Sequence, residues 1–110
     1  MCGFDIIMKE TDKALVNFEM DLFWVITAGQ DPIELFKRHP GRFKMWHVKD
    51  MNKINPKLNT EIGSGSINFK SIFKKAKLSG MEYFYVEQEN FSMDVYESIK
   101  KSNLFVKTII

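Results

Sequence analysis

The hydrophobic period of this chain switches repeatedly along its length, and that alternation constrains the fold more than any other feature. Val16 to Val25 (VNFEMDLFWV) is apolar, aromatic and β-branched, and reads as a strand buried on both faces. Asp31, Pro32 and Glu34 then spell a helix start, with a capping carboxylate, a proline at the first helical position and a glutamate at capping-box spacing. Pro40-Gly41 ends that helix. Phe43 to Lys49 (FKMWHVK) is a second strand, and a long loop runs from Asp50 to Gly65. In a second helix Phe69, Ile72, Phe73 and Ala76 share one face, with Lys70, Lys74, Lys75 and Lys77 largely on the other and Gly80 as C-terminal cap. Met81 to Gln88 (MEYFYVEQ) is the third strand. A last helix carries Val95, Ile99, Ser102, Val106 and Ile109 on one stripe. Upstream, Phe4 to Met8 reads as the end of another helix, with Thr11-Asp12 as a turn.

Strands that alternate with helices predict an α/β fold with a parallel sheet and right-handed crossovers. A length of 110 residues bounds this to one domain. Ten Phe, three Tyr and two Trp form an apolar payload that something has to cover. Three strands are few for a free-standing parallel sheet, so the chain is expected to be part of something larger or to assemble with copies of itself. The longest uncharged stretch, Leu22 to Gln30, is too short for a membrane span, and Met1 to Glu10 has no signal-peptide pattern, which gives a cytoplasmic expectation. The single Cys2 excludes an internal disulfide and a cysteine-rich zinc site. A net charge of +2 gives no argument for a nucleic-acid partner.

Each strand has an ionisable residue near its C-terminal end: Asp21, His47 and Glu87. Burying such a group costs several kcal/mol, roughly, unless it is paired or binds a metal. One such residue alone is more often a satisfied polar group. Three at the same end of three consecutive strands can converge on one ion, because ligands bind at the C-terminal ends of parallel strands. One imidazole and two carboxylates suit Mn²⁺, Co²⁺, Zn²⁺ or Mg²⁺. Glu19 shares the face of Asp21 and is a candidate supporting carboxylate. Gly63 and Gly65 either bring backbone N–H groups to an anion or simply make a tight loop.

The stretches FEMDLFWVITAGQDPIELFKRHPGRF, MWHVKDM, EIGSGSINF and YFYVEQE together resemble the C-terminal part of the sugar phosphate isomerase/epimerase family, the xylose isomerase-like (β/α)₈ barrels. The resemblance implies that residues 1–110 are the last three β/α units, strands six to eight, of a TIM barrel left incomplete in this chain. It implies a divalent metal on Asp21, His47 and Glu87, with a fourth ligand from a strand before Met1. It also implies that Glu87 is half of an acid/base pair that moves a proton next to a substrate carbonyl. Trp24 stands where many epimerases have a substrate-touching His; its ring suits sugar stacking or plain packing. Lys49 and Asp50 are expected at the same rim, Lys49 as a substrate contact or a solvated loop lysine. Glu89 is a further substrate-binding candidate, and Glu61 a second-tier one. The function so implied is a metal-dependent isomerase or epimerase of a sugar, sugar phosphate or keto-sugar, or a related lyase or dehydratase. The alternative is an inactive fragment of such an enzyme, which needs the missing barrel half or self-association. An apurinic endonuclease on the same fold would want more His ligands, where Trp24, Lys57 and Asn59 stand.

Overall fold

Parallel strands cannot be joined by tight turns, so every crossover must carry a helix or a long loop. The computed structural model describes all residues from Met1 to Ile110 and shows that arrangement. In chain order the elements are α1 (Gly3–Glu10), β1 (Phe18–Asp21), α2 (Leu22–Thr27), α3 (Pro32–Arg38), β2 (Phe43–Val48), β3 (Asp50–Met51), β4 (Asn59–Thr60), α4 (Phe69–Phe73), α5 (Ala76–Ser79), β5 (Tyr83–Val86) and α6 (Val95–Val106). Strands β1, β2 and β5 form a parallel sheet with β2 in the middle. Strands β3 and β4 are a short antiparallel pair inside the long loop. The chain is therefore α/β with a parallel sheet, as the alternating periods predict. No helix is long and apolar enough to cross a membrane.

Several boundaries differ from the sequence reading. The run Val16 to Val25 is not one strand: β1 stops at Asp21 and α2 begins at once. The Asp21 carboxylate makes the switch by accepting from the Trp24 N–H at 3.2 Å as the helix cap. An apolar run does not by itself distinguish a buried strand from a short buried helix. At α3 the expected cap is present, with Asp31 accepting from the Ile33 N–H at 2.8 Å. Glu34 does not close a capping box there; it pairs with Lys37 at 2.6 Å. The lysine-rich helix is broken into α4 and α5 around Lys74 and Lys75. In α6 the buried face is Ser98, Ser102 and Val106, while Val95 and Ile99 are exposed. That face is rotated from the apolar stripe because both serines hydrogen-bond the loop below them.

The two faces of the sheet are unlike. Met20, Trp46 and Val48 point to the helices and are buried. Trp46 lies parallel to Phe36 with ring centroids 5.2 Å apart and meets Phe73 edge-on at 5.3 Å. Its indole N–H donates to Ser79 Oγ at 2.9 Å, and that hydroxyl donates to the Phe43 carbonyl at 2.7 Å. The opposite face carries Glu19, Asp21, His47, Tyr83 and Tyr85 and is open, with Tyr83 60% and Tyr85 48% exposed. Burial on both faces, expected from the continuous apolar runs, is thus found on the helix side only.

The hydroxyl of Ser79 satisfies two buried partners at once. Ser79→Ala should destabilise the chain by about 1–3 kcal/mol, the cost of leaving buried polar groups unpaired. Urea unfolding followed by tryptophan fluorescence measures this; a loss below about 0.5 kcal/mol would show that the bridge carries no weight.

Candidate functional site

The register of the sheet assembles the site. Asp21 pairs with His47 across β1 and β2, and His47 pairs with Tyr85 across β2 and β5. Glu87 lies two residues beyond Tyr85, so it shares that face and stands one step nearer the C-terminal edge. The Glu87 N–H donates to the Val48 carbonyl at 3.0 Å, which extends the ladder past β5 and fixes the backbone there. Asp21, His47 and Glu87 thereby offer ligand atoms that all lie within 4.8 Å of one another. His47 Nδ1 is 3.1 Å from Glu87 Oε2 and 3.7 Å from Asp21 Oδ2. On its other side, His47 Nε2 is 2.5 Å from Glu19 Oε1.

In a neutral ring that donates its Nε2–H to Glu19, Nδ1 is a free ligand atom aimed at two carboxylate oxygens. Those three atoms can share one cation. Two ligands of an ion held at ~2.1 Å can stand up to ~4.2 Å apart; both His47 separations fall inside that limit, and the 4.8 Å span of the whole set comes within it on a small turn of one carboxylate. Glu19 has the place of the carboxylate that commonly orients a metal-bound histidine. The residues present therefore fit a divalent ion.

Lys49 is the nearest resident cation. Its side chain is only 3% exposed, so it is no solvated loop lysine. Its ammonium lies 2.7 Å from Glu89 Oε1, 3.4 Å from Glu87 Oε2 and 3.8 Å from Asp21 Oδ2. Burial disfavours the charged form, but the Glu89 hydrogen bond and the charges of Asp21, Glu89 and Glu87 outweigh it and hold the ammonium above its ordinary value. The same hydrogen bond from Lys49 holds the Glu89 carboxyl below its ordinary value. Trp24 sits on α2, not on a strand; it is 56% exposed and edge-on to Phe23 at 5.2 Å. A cleft of ≈ 700 Å³ follows the free edge of β1 and reaches Glu19, Asp21 and Trp24.

Three further expectations need correction. Asp50 does not reach the rim: it is fully buried and points into its own loop. Its Oδ2 accepts from the N–H groups of Gly63 and Gly65, each at 2.9 Å, and its Oδ1 from Met51 at 2.8 Å and Ile67 at 3.2 Å. Burial pushes this carboxyl above its ordinary value, and the four amides pull against that. The glycine amides are accordingly spent on an internal carboxylate and are not free for an external anion. A Cβ on Gly65 would run into that carboxylate, so the loop sequence and Asp50 depend on each other. Glu61 is also buried, against α6, where it accepts from Ser98 Oγ at 2.7 Å, Thr60 Oγ1 at 3.0 Å and Gln88 Nε2 at 3.3 Å. It belongs to the support of the loop and not to the site.

Sequence reasoning missed Asn59. Its Oδ1 accepts from the N–H groups of Glu89 at 2.7 Å and Asn90 at 2.9 Å, and Asn90 Oδ1 returns a bond from the Asn59 N–H at 3.0 Å. This clamp ties the strand-end segment that carries Glu87 and Glu89 to the β3–β4 hairpin. No local signal announces it, since the partners are about thirty residues apart.

A parallel α/β sheet with carboxylates and an imidazole at its C-terminal edge defines the class. No protein-family profile matches the chain. It is similar to inosose dehydratases: the one from Geobacillus thermodenitrificans is 25% identical over 122 aligned positions, covering 94% of this chain and 41% of that protein. The one from Clostridium botulinum is 34% identical over 86 positions, covering 64% of this chain and 29% of that protein. Two solved structures of sugar phosphate isomerases/epimerases from Parabacteroides distasonis superpose with TM-scores of 0.80 and 0.77, at 36% and 31% identity. Each match covers 94% of this chain and 34% or 35% of the other. The chain belongs to the xylose isomerase-like sugar phosphate isomerase/epimerase family. It spans less than half the length of these relatives.

Two outcomes follow for the loop. Asp50→Asn would turn an amide group toward N–H donors and should cost at least about 2 kcal/mol, with faster hydrogen exchange at the amides of Gly63, Gly65 and Ile67. Unchanged exchange there would contradict the anchoring role. Burial pushes the Glu61 carboxyl up, but hydrogen bonds from Ser98, its own backbone N–H, Thr60 and Gln88 prevail and hold it below its ordinary 4.5. A depressed carboxyl stabilises the fold above its unfolded value and loses that contribution as pH falls through its lower folded value. Glu61→Gln should therefore flatten the acid limb of the stability–pH curve below about pH 4.5; an unchanged limb would assign acid unfolding to other groups.

Proposed function

We propose that residues 1–110 form one C-terminal barrel portion, strands six to eight of a (β/α)₈ barrel, and carry part of the active site of a sugar isomerase, epimerase or related dehydratase. The observation that supports this most directly is the convergence of Asp21, His47 and Glu87 at the C-terminal edge of a parallel sheet, in a chain 36% identical to a sugar phosphate isomerase/epimerase. Barrel enzymes place their chemistry at that edge.

In this reading Asp21, His47 and Glu87 hold one divalent cation, with Mn²⁺, Co²⁺, Zn²⁺ and Mg²⁺ all compatible with the donor set. Such an ion, when bound, supplies Lewis-acid stabilisation of negative charge on substrate oxygens. Glu87 moves the proton. Its carboxylate, 40% exposed toward the open face, removes a proton from a carbon next to a carbonyl as one half of an acid/base pair. Protonation of that carbon from its opposite face by the second acid of the pair, which lies outside these residues, gives an epimer, and return of the proton by Glu87 to the neighbouring carbon gives an isomer. Loss of a hydroxyl after the same first step gives a dehydratase. Glu19 keeps the His47 ring in one orientation throughout. Trp24, exposed beside Asp21, offers a flat apolar face to a sugar ring. The substrate is a small carbohydrate or keto-sugar, bound between this face and Glu89.

A second reading, that the 110 residues are inactive by themselves, draws support from the sheet edges. The outer sides of β1 and β5 are unpaired, and the ≈ 700 Å³ cleft runs along one of them. On this reading activity appears only when further strands close the sheet, supplied by more polypeptide or by other copies of the chain. The endonuclease alternative finds no support in the imidazoles. His39, the other histidine, packs against Phe4 and Phe43 at the start of β2, away from His47.

The test is metal uptake by the purified chain, with its mass in solution measured alongside. Mn²⁺ or Zn²⁺ should bind with a stoichiometry of about one, and His47→Ala should reduce affinity by at least about 100-fold. Uptake unchanged in His47→Ala would remove this residue from the site. A metal-free aggregate would favour the inactive reading.

A further inference from the structure

Lys49 is the charged group of the site that the metal reading leaves without a task. Its ammonium addresses Glu87 Oε2 at 3.4 Å and Asp21 Oδ2 at 3.8 Å. These are the same two oxygen atoms that face His47 Nδ1. An ammonium and a divalent ion would therefore contend for the same oxygens. We propose that Lys49 is a tethered counter-cation that competes with the divalent ion for Asp21 and Glu87 and so sets the metal affinity of the site. This rests on the metal reading above.

Two effects of Lys49 oppose each other. Its charge repels a second cation, and its contacts hold the two carboxylates together before one arrives. The structure decides between them. Each carboxylate has a second contact besides Lys49: Asp21 its cap bond to the Trp24 N–H, and Glu87 the His47 Nδ1 at 3.1 Å on a backbone bonded to Val48. Lys49 itself is held independently of both, by Glu89 at 2.7 Å and by the Phe23 ring, whose centroid is 5.9 Å from its ammonium. Removing the charge thus removes repulsion while Asp21 keeps its cap bond and Glu87 its contact with His47. At such separations, with the screening usual near a protein surface, one unit charge alters the affinity for a divalent ion by about tenfold or more. The tether to Glu89 gives Lys49 a partner to keep when the ion takes the other two carboxylates.

Titration calorimetry of the full chain with MnCl₂ tests this, with folding checked by circular dichroism. Lys49→Met should bind Mn²⁺ at least about tenfold more tightly than the unmodified chain, and Lys49→Arg, which keeps the charge, within about threefold of it. If Lys49→Met does not fold, Lys49→Gln keeps a donor for Glu89 without the charge and carries the same expectation. Unchanged or weaker binding in the neutral variant overturns the proposal, as does equal tightening in Lys49→Arg. If the unmodified chain takes up no Mn²⁺, the metal reading fails and this inference with it. If the unmodified chain binds, His47→Ala does not, and the neutral Lys49 variant matches the unmodified chain, only the role of Lys49 is lost.

Discussion

The parallel register of β1, β2 and β5 is the constraint on which the rest depends. Pairing Asp21 with His47, and His47 with Tyr85, leaves no freedom in which side chains share the open face. A slip of one residue in either pairing would send His47 or its partners to the helix side. There they would meet Trp46, Phe36 and Phe73, with nothing to pair a charge. Apolar packing on one face therefore enforces the chemistry of the other. The buried indole of Trp46, pinned by Ser79, helps hold β2 in the alignment that brings His47 beside Asp21 and two residues short of Glu87.

The loop between β2 and α4 solves a related problem. A long segment at the C-terminal edge of a sheet would expose many amides and move freely. Asp50 gathers four of them onto one carboxylate, and Asn59 clamps the segment that follows β5. The acid beside Lys49 in the chain thus works in the opposite direction from it. Alternation along an extended backbone turns Lys49 toward the cluster of Asp21, Glu87 and Glu89 and turns Asp50 into the loop. Adjacent charged residues at a strand end acquire separate tasks, one electrostatic and one architectural.

What was legible in the sequence follows from this geometry. The order of elements and the three polar strand ends could be read, because periodicity and charge within an apolar run are local signals. Glu19 could be placed with Asp21 by strand alternation alone. The end of β1 could not, because Leu22 to Thr27 is apolar enough for strand or helix, and the Asp21 cap decides between them only once the chain has turned. The burial of Asp50, Lys49 and Glu61 was equally hidden. Each depends on partners 13 to 40 residues away that no spacing rule connects. The α6 stripe is right at Ser102 and Val106 and wrong at Val95 and Ile99, which are exposed. Ser98, polar in composition, faces inward because Glu61 accepts from its hydroxyl there.

The division of labour between the two sheet faces bears on how such a site tolerates change. The 15 buried apolar residues that form the core include none of Glu19, Asp21, His47, Lys49, Glu87 or Glu89. Stability rests on the helix side, and the charged cluster sits on a face whose aromatic neighbours, Tyr83 and Tyr85, are exposed. Three carboxylates, Asp21, Glu87 and Glu89, surround Lys49 and a fourth, Glu19, meets His47, so acidic groups outnumber the one ammonium on this face. That excess of negative charge is what gives the site its attraction for a cation. Apolar residues in the same places would bind no cation, and the separation of the faces keeps the charged ones clear of the core.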